Sequence, residues 1–190
     1  MARKVFLDTD LLSSFLWIGK TNYLIKVLPD YDIRVPYQVT LEIKRPVPGL
    51  KALQNKYYGA KANGDFKEER DFEAPSDEYR EYLRLTHGIG FPKTIGSGEA
   101  AGIVLAKKYQ GVLASNNLSD IAYFVARFGI ACITTCDILL ALLDQSILTE
   151  KELSKVYSDM LEHKRMLPYP TFSELLKART MGQYKANPIP

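Results

Sequence analysis

Apolar positions follow two different periods along the chain, and the change of period predicts strands followed by helices. Residues 4–7 form a short apolar run that ends in two aspartates. Leu11, Leu12, Phe15 and Leu16 then recur with the spacing of one helix face. The start of the chain therefore predicts a strand, a turn and a helix.

The same alternation of strand and helix patterns continues through most of the chain. The predicted strands cover residues 32–35, 111–114 and 130–133, and the predicted helices cover 37–44, a stretch that opens at Ser97, and 121–128. Strands that alternate with helices favour a parallel sheet, because parallel neighbours need crossover connections. We therefore predict an α/β fold with three layers, in which a mostly parallel sheet of four to five strands is flanked by helices.

Two regions depart from this alternation. Residues 46–94 are more polar and predict a longer helical segment in the middle of the chain. Near the end, capping-box patterns begin at Thr149 and Thr171, and they predict two further helices. The predicted organisation is one domain over residues 1–145, followed by a C-terminal helical extension over residues 146–190.

Composition narrows the class of protein. The chain has 190 residues, of which 46% are hydrophobic, enough for one well-buried core, and its net charge is only +3. That charge is too small to argue for nucleic-acid binding by the whole molecule. Two cysteines are too few for a disulfide-stapled secreted domain. Asp8 and Asp10 interrupt the N-terminal apolar run, so we expect a soluble, cytoplasmic protein with no membrane partner.

Polar side chains stand just after the predicted strands and at one predicted helix start. They are Asp8 and Asp10, Glu42, Glu99, Ser115, Asn116 and Asn117, and Asp120. Because ligands in parallel sheets bind outside the carboxyl ends of the strands, these side chains are expected to converge. Carboxylates without matching bases favour a divalent cation, and Mg²⁺ or Mn²⁺ suits oxygen ligands. Such an ion would support hydrolysis of a phosphodiester.

Each acidic residue also has a structural interpretation. Asp8 or Asp10 could serve as a helix N-cap. Glu42 could lie on a solvated helix face, and Glu99 or Asp120 could interact with a helix macrodipole from the first turn. Their combined placement argues for a site more strongly than any one of them does.

Four segments resemble the PIN domain, the metal-dependent ribonuclease fold of VapC-type toxins and their relatives. They are VFLDTDLLSSFL, PYQVTLEIKR, GSGEAAGIVLAKKY and GVLASNNLSDIAYFVARFGI, which together span residues 5–135. The first resembles the opening strand and acidic turn of the family. The third resembles its G-E-A-x-A-I helix. Their order and spacing match the family more closely than any single segment does.

The resemblance implies a Mg²⁺- or Mn²⁺-dependent endoribonuclease that is the toxin of a toxin–antitoxin pair. The expected partners are RNA, a cognate antitoxin protein and a second copy of the chain. At the fourth acidic position of the family, Asn117 or Asn116 stands where aspartate is usual, and Asp120 lies one helical turn later. The implied catalytic residues are Asp8, Glu42, Glu99, Asn117 and Asp120, and all of them except Glu42 are implied metal ligands.

A basic segment follows Glu42 and predicts the substrate side of the site. The expected substrate-binding residues are Lys44, Arg45, Lys51, Lys56, Tyr57 and Tyr58, together with Ser115 and Asn116. Cations neutralise phosphates and tyrosines stack on unpaired bases. The alternative is a solvated helix face with tyrosine packed inward. Two rival functions stay open: a PIN-like RNA- or protein-binding protein without catalysis, and a metal-dependent phosphatase or DNase.

Overall fold

The structure, a computed structural model, describes residues 2–70, 72–187 and 189. The strands are β1 (Arg3–Leu7), β2 (Tyr31–Pro36), β3 (Lys67–Glu69), β4 (Val112–Ala114) and β5 (Ala131–Ile133). The helices are α1 (Thr9–Trp17), α2 (Asn22–Val27), α3 (Tyr37–Ile43), α4 (Lys51–Ala62), α5 (Asp77–His87), α6 (Ser97–Lys108), α7 (Leu118–Phe128), α8 (Thr135–Asp144), α9 (Glu150–Glu162) and α10 (Phe172–Thr180).

The five strands form one parallel sheet in the order β3-β2-β1-β4-β5. The central strand β1 pairs with β2 on one side and β4 on the other, so Val5 lies beside both Ile33 and Val112. A parallel strand buried on both faces needs a continuous apolar run, and Val5, Phe6 and Leu7 supply it. The predicted α/β class, with a mostly parallel sheet of four to five strands, is confirmed, and the sheet has five strands that all pair in parallel.

Side chains of the sheet alternate between two cores. On β1, Val5 and Leu7 join the larger core, whereas Phe6 joins the smaller one. On β4, Ala114 faces the larger core and Leu113 the smaller. The larger core takes residues from α1, α2, α3, α4, α8, α9 and α10, and the smaller takes residues from α5, α6 and α7. The sheet is thus the middle layer of three.

The C-terminal helices belong to the larger core. Leu153 and Met160 of α9 and Leu175 of α10 are buried in it. Beyond α10, the Tyr184 hydroxyl and the Asn187 N–H both donate to Asp137 Oδ1, each at 2.9 Å. The extension is therefore packed and hydrogen-bonded against the sheet domain.

Three elements have no counterpart among the predictions: α2, β3 and α8. Strand β3 has the sequence Lys-Glu-Glu, which contains no apolar residue. It is held by pairing with β2 and by ion pairs, with Lys61 3.1 Å from Glu68 and Lys4 2.7 Å from Glu69. Hydrophobic periodicity cannot detect a strand of this kind. A helix with the length and apolarity needed to span a bilayer does not occur in residues 2–70, 72–187 and 189.

Candidate functional site

The carboxyl ends of β1 and β4 meet at the rim of a polar pocket. The Asp8 N–H, just after β1, donates to the Ala114 carbonyl at the end of β4 at 3.0 Å. The pocket has a volume of about 500 Å³ and is called the acidic pocket here. Its lining is Asp8, Thr9, Asp10, Glu42, Gly96, Glu99, Asn116, Asn117, Ser119 and Met166.

Asp8 is the most buried acid of this pocket, with 1% of its surface exposed. Its Oδ1 accepts the Leu11 N–H at 2.7 Å and so caps α1, and its Oδ2 accepts the Ser115 hydroxyl. The pKa of Asp8 is raised to about 7, mainly by burial and to a smaller extent by the nearby carboxylates of Asp10 and Glu99, while the two hydrogen bonds oppose the rise. Within the described residues, no lysine or arginine pairs with Asp8.

Glu99 lies opposite Asp8 in the first turn of α6. Its Oε2 accepts the Gly96 N–H at 2.9 Å, which completes the N-terminal capping of the helix. Its Oε1 accepts the amide of Asn117 at 2.6 Å. Glu99 Oε2 therefore caps α6, and Oε1 faces the turn after β4.

Asn117 bridges two acids. Its Nδ2 donates to Glu99 Oε1 at 2.6 Å and to Asp120 Oδ2 at 2.7 Å, while its Oδ1 accepts the Ser119 hydroxyl at 2.9 Å. Lys93 also lies 3.1 Å from Asp120. The hydrogen bond from Asn117 and the pairing with Lys93 lower the pKa of Asp120. The side-chain NH2 group of Asn117 therefore lies between the carboxylates of Glu99 and Asp120.

Glu42 points toward the start of α6. Its Oε1 accepts the Ser97 hydroxyl at 2.6 Å and the Gly98 N–H at 2.9 Å, and its Oε2 accepts the Thr9 hydroxyl. A Cβ atom at Gly98 would lie 3.0 Å from both Glu42 Oε2 and Thr9 Oγ1, so glycine permits this close approach. Glu42 therefore ties α3, α1 and α6 together.

The acidic pocket offers the right kind of donors for Mg²⁺ or Mn²⁺, namely carboxylate and amide oxygens. A buried carboxylate without a basic partner also favours a cation. However, no group of three His, Cys, Asp or Glu side chains among the described residues is close enough to hold a metal ion. The carboxylates of Asp8 and Glu99 fit such an ion in chemistry, and Asn117 would join them as a ligand once its amide oxygen turned from Ser119 toward Glu99.

The expectation that the acids lack matching bases is wrong for two of them. Lys93 pairs with Asp120, and Arg165 Nη1 lies 3.5 Å from Asp10 Oδ1. Both bases lie outside the segments that predict the site, since Lys93 precedes α6 and Arg165 follows α9. Sequence separation hides such pairs, because nothing in the local pattern of either residue indicates its partner.

Two expected substrate contacts are corrected by burial. Tyr57 is fully buried, its ring lies 5.2 Å from that of Phe66, and its hydroxyl is 2.6 Å from Thr40 Oγ1, so it cannot stack on a base. Ser115 is also fully buried, and its hydroxyl orients Asp8 instead of reaching substrate.

The remaining predicted contacts lie at the surface or at the pocket wall. Tyr58 is 49% exposed, and the Lys44 ammonium lies 5.6 Å from its ring centroid. Lys56 donates to the Trp17 carbonyl. Arg45 and Lys51 are exposed, and Asn116 lines the acidic pocket while its Oδ1 accepts the Thr135 N–H at 2.9 Å.

Several residues in or beside this pocket were not predicted from the sequence. Thr9 and Ser97 sit inside the quoted motifs, between or beside the predicted acids, and their hydroxyls are the signal that could have indicated contacts to Glu42. Arg165 and Met166 come from the C-terminal extension, where no motif marks them.

Comparisons with known proteins add little to this picture. No family model matches the chain, and no curated protein matches it significantly. Among solved structures, the chain is similar to a domain of a functionally unknown protein from Methanocaldococcus jannaschii DSM 2661, with 22% identity and a TM-score of 0.43. That match covers 70% of this chain and 91% of the other. A likeness of this strength supports no inference about activity.

Proposed function

We propose that the chain is a Mg²⁺- or Mn²⁺-dependent endoribonuclease of PIN type and the toxin of a toxin–antitoxin pair. One observation supports this most directly. Asp8 is buried without a basic partner in the described chain, and it shares with Glu99 a pocket at the carboxyl ends of β1 and β4. A buried carboxylate in that position is costly unless a cation or proton compensates its charge.

The residues of the acidic pocket would have different roles in this reaction. Asp8, Glu99 and Asn117 would bind the ion, with Asp120 completing the set, and Glu42 would hold the start of α6 so that Glu99 stays in place. A bound Mg²⁺ or Mn²⁺ supplies Lewis acidity toward a phosphoryl oxygen and a more acidic water. No side-chain nucleophile is needed. The exposed Lys44, Arg45, Lys51 and Tyr58 would contact RNA.

A second candidate function is a PIN-like RNA-binding protein without catalysis. The amide of Asn117 already donates to Glu99 and Asp120, and Lys93 pairs with Asp120. These contacts offset acidic charge that a metal would otherwise neutralise. The two candidate functions use the same pocket. They differ in whether the negative charge around Asn117, the fourth acidic position, is sufficient to bind a catalytic metal ion.

Calorimetric titration with Mn²⁺ tests the metal site. The chelator-treated wild type is expected to bind the ion, and an Asp8→Asn/Glu99→Gln double variant is expected not to bind it. Asp144→Asn is a suitable control, because Asp144 pairs with Arg179 on the C-terminal helices. Equal binding by the wild type and the double variant would contradict a shared site.

Cleavage of varied single-stranded RNAs separates the enzyme from the binding protein. If Asp120 completes an active site, Asp120→Asn abolishes metal-dependent cleavage and Asn117→Asp changes it little. If the wild type does not cleave RNA and Asn117→Asp does, the missing charge at position 117 explains the lack of activity. The RNA-binding protein without catalysis is then the better candidate for the wild type. No cleavage by either protein, with Mn²⁺ bound to both, would refute the nuclease proposal.

The toxin role needs its own measurement. Induced expression of the wild type is expected to arrest growth, whereas Asp8→Asn at equal protein level is expected to leave growth unchanged. Growth arrest by both proteins would argue against a toxicity that depends on this site.

A further inference from the structure

The segment after α9 forms a wall beside the acidic pocket. Residues 163–168, called the C-terminal wall here, turn back toward α1 through hydrogen bonds from Lys164 N–H to Leu161 and from Arg165 N–H to Met160. The His163 ring stacks on the Trp17 ring, with centroids 5.4 Å apart. The hydrogen bonds tie the wall to the last turn of α9, and the stacked rings hold it against α1, whose N-cap is Asp8.

Arg165 places a guanidinium at the edge of the acidic pocket. Its Nη1 donates to the Ser13 hydroxyl at 2.8 Å and lies 3.5 Å from Asp10 Oδ1, and its Nε donates to the His163 carbonyl at 3.1 Å. Within the described residues, no contact to its other terminal nitrogen, Nη2, is recorded. The side chain is 22% exposed, and a guanidinium fixed by its other nitrogens can present Nη2 to a phosphate oxygen.

An apolar groove adjoins the acidic pocket on the other side of Met166. It has a volume of about 390 Å³, within the size range of small-ligand sites, and its lining is mostly apolar. Leu118, Met166, Pro168 and Tyr184 form its sides. Leu118 is 43% and Met166 is 86% exposed, so the groove is bounded by large apolar side chains that solvent reaches.

The groove and the acidic pocket adjoin each other. Both are lined by Asn116, Ser119 and Met166. A ligand in the groove would therefore contact side chains that also line the acidic pocket. Together the two cavities and Arg165 present one apolar surface and one cation beside an acidic centre. A nucleotide of single-stranded RNA has matching parts, since its base is flat and largely apolar on its faces and its phosphate is anionic.

We propose that the C-terminal wall forms a nucleotide subsite, in which the groove of Leu118, Met166 and Pro168 takes one unpaired RNA base and Arg165 binds its phosphate. This inference rests on the proposed function for the identity of the ligand. It assigns substrate contact to the extension as well as to the basic segment after Glu42. The base in the groove belongs to the same RNA strand as the phosphate that would be cleaved at the acidic pocket.

Anisotropy of a short fluorescein-labelled single-stranded RNA tests the subsite without requiring cleavage. Binding is measured once in EDTA and once in Ca²⁺, with the intactness of the probe checked on a gel. We expect Arg165→Gln to weaken binding at least about fivefold, as for loss of a charged phosphate contact. Lys151→Gln is the matched control, since it removes the same charge at the far end of α9.

A scan of single abasic positions along the probe tests the groove. In the wild type, one abasic position is expected to weaken binding several-fold, and in Met166→Ala that dependence is expected to disappear. Met181→Ala is the control, because Met181 lies on the same extension and is 73% exposed. This variant should show the same dependence on the abasic position as the wild type. A circular dichroism melt confirms that each variant is folded.

The outcomes separate this inference from the proposed function. If Arg165→Gln and Lys151→Gln bind alike and no abasic position matters, the subsite is wrong even where the wild type cleaves RNA. If the wild type binds no RNA in either buffer, the subsite is also wrong, and a protein ligand becomes the alternative for the groove. If binding depends on Arg165 and on one base but no metal supports cleavage, the subsite stands and the nuclease proposal fails.

Discussion

Two buried aspartates at the same edge of the sheet have different surroundings. Asp8 follows β1 and Asp137 lies three residues after Thr134, which follows β5. Asp137 accepts four hydrogen bonds: Thr134 N–H and hydroxyl reach Oδ2, and the Tyr184 hydroxyl and Asn187 N–H reach Oδ1. From the described part of the chain Asp8 accepts two, from Leu11 N–H and the Ser115 hydroxyl.

This difference distinguishes a structural carboxylate from a candidate functional one. A carboxylate has about four acceptor sites, so the contacts of Asp137 fill them and those of Asp8 leave about two. Asp137 also lies away from the lining of the acidic pocket, whereas Asp8 belongs to it. Burial and position after a strand are common to both residues, whereas the number of hydrogen-bond donors and the place in the pocket lining separate them.

The largest expected effect is on catalysis. Asp8→Asn should slow metal-dependent RNA cleavage roughly 1000-fold, equivalent to about 4 kcal/mol in the barrier, because it removes a charged ligand. The variant keeps a side-chain oxygen to cap α1, so its fold should persist. Single-turnover cleavage rates measure the change, with Asp144→Asn as the control. A rate within a few-fold of the wild type would place Asp8 with Asp137 among the structural acids.

The second effect is on stability as a function of pH in the metal-free protein. The fold raises the pKa of Asp8 from 3.8 to about 7, so the native state binds this proton more tightly than the unfolded chain does. The resulting stabilisation is fully present below pH 3.8 and is lost as the pH rises through about 7. The loss should amount to roughly 4 kcal/mol at most.

Urea denaturation from pH 4 to pH 8, with the wild type compared with Asp8→Asn, measures this loss. The difference in unfolding free energy between the two proteins should shift in favour of the variant as the pH rises. Added Mg²⁺ at pH 8 should restore stability to the wild type and not to the variant, by mass action. A difference that stays constant with pH would contradict the raised pKa.

A third effect concerns Asp137, the carboxylate that accepts four hydrogen bonds. Asp137→Asn replaces one acceptor oxygen by an amide nitrogen that faces donors, and it should lower the free energy of unfolding by about 2–3 kcal/mol. Equilibrium unfolding in urea at pH 7 measures this. Limited proteolysis near residue 184 should also become faster, since Tyr184 and Asn187 lose their acceptor. Unchanged stability would remove the distinction drawn from the donor count.

The smallest effect is expected at Glu42. Glu42→Gln keeps an oxygen for the Ser97 hydroxyl and the Gly98 N–H, so it should destabilise the protein by only about 0.5–1 kcal/mol. Mn²⁺ affinity should fall less than it does in Glu99→Gln. Calorimetry on both variants measures the contrast. A larger loss of affinity at Glu42 would make it a ligand and not a support for α6.

The sequence was sufficient for the parts of the fold that depend on local patterns. The predicted strands at 4–7 and 111–114 correspond to β1 and β4, because buried parallel strands are continuous apolar runs. Strand β3 could not be predicted, since its pairing with β2 and its ion pairs use polar residues. Helix α2 has six residues, too few for a clear apolar period.

The candidate site was predictable in composition and less so in geometry. The rule on strand ends brings Asp8, Glu99 and Asn117 to one pocket. The orientation of Glu42 depends on contacts with Thr9 and Ser97, which are set by the tertiary arrangement of three helices.

Other features of the site depend on contacts between distant parts of the chain. Arg165 reaches Ser13 across a separation of 152 residues, which no local pattern reveals. The four donors of Asp137 include Tyr184 and Asn187, which follow it by 47 and 50 residues. The sequence analysis therefore identified candidate acids without the partners that decide their roles.

The central place of β1 has a consequence for synthesis on the ribosome. Strand β1 is made before its partner β4, and Asp8 accepts the hydroxyl of Ser115, so the surroundings of Asp8 are complete only after 107 further residues have been added. At common elongation rates of about 5–20 residues per second, that interval lasts roughly 5–20 s. A nascent chain would therefore carry Asp8 for seconds without an assembled site, which delays any nuclease activity until most of the chain has been translated.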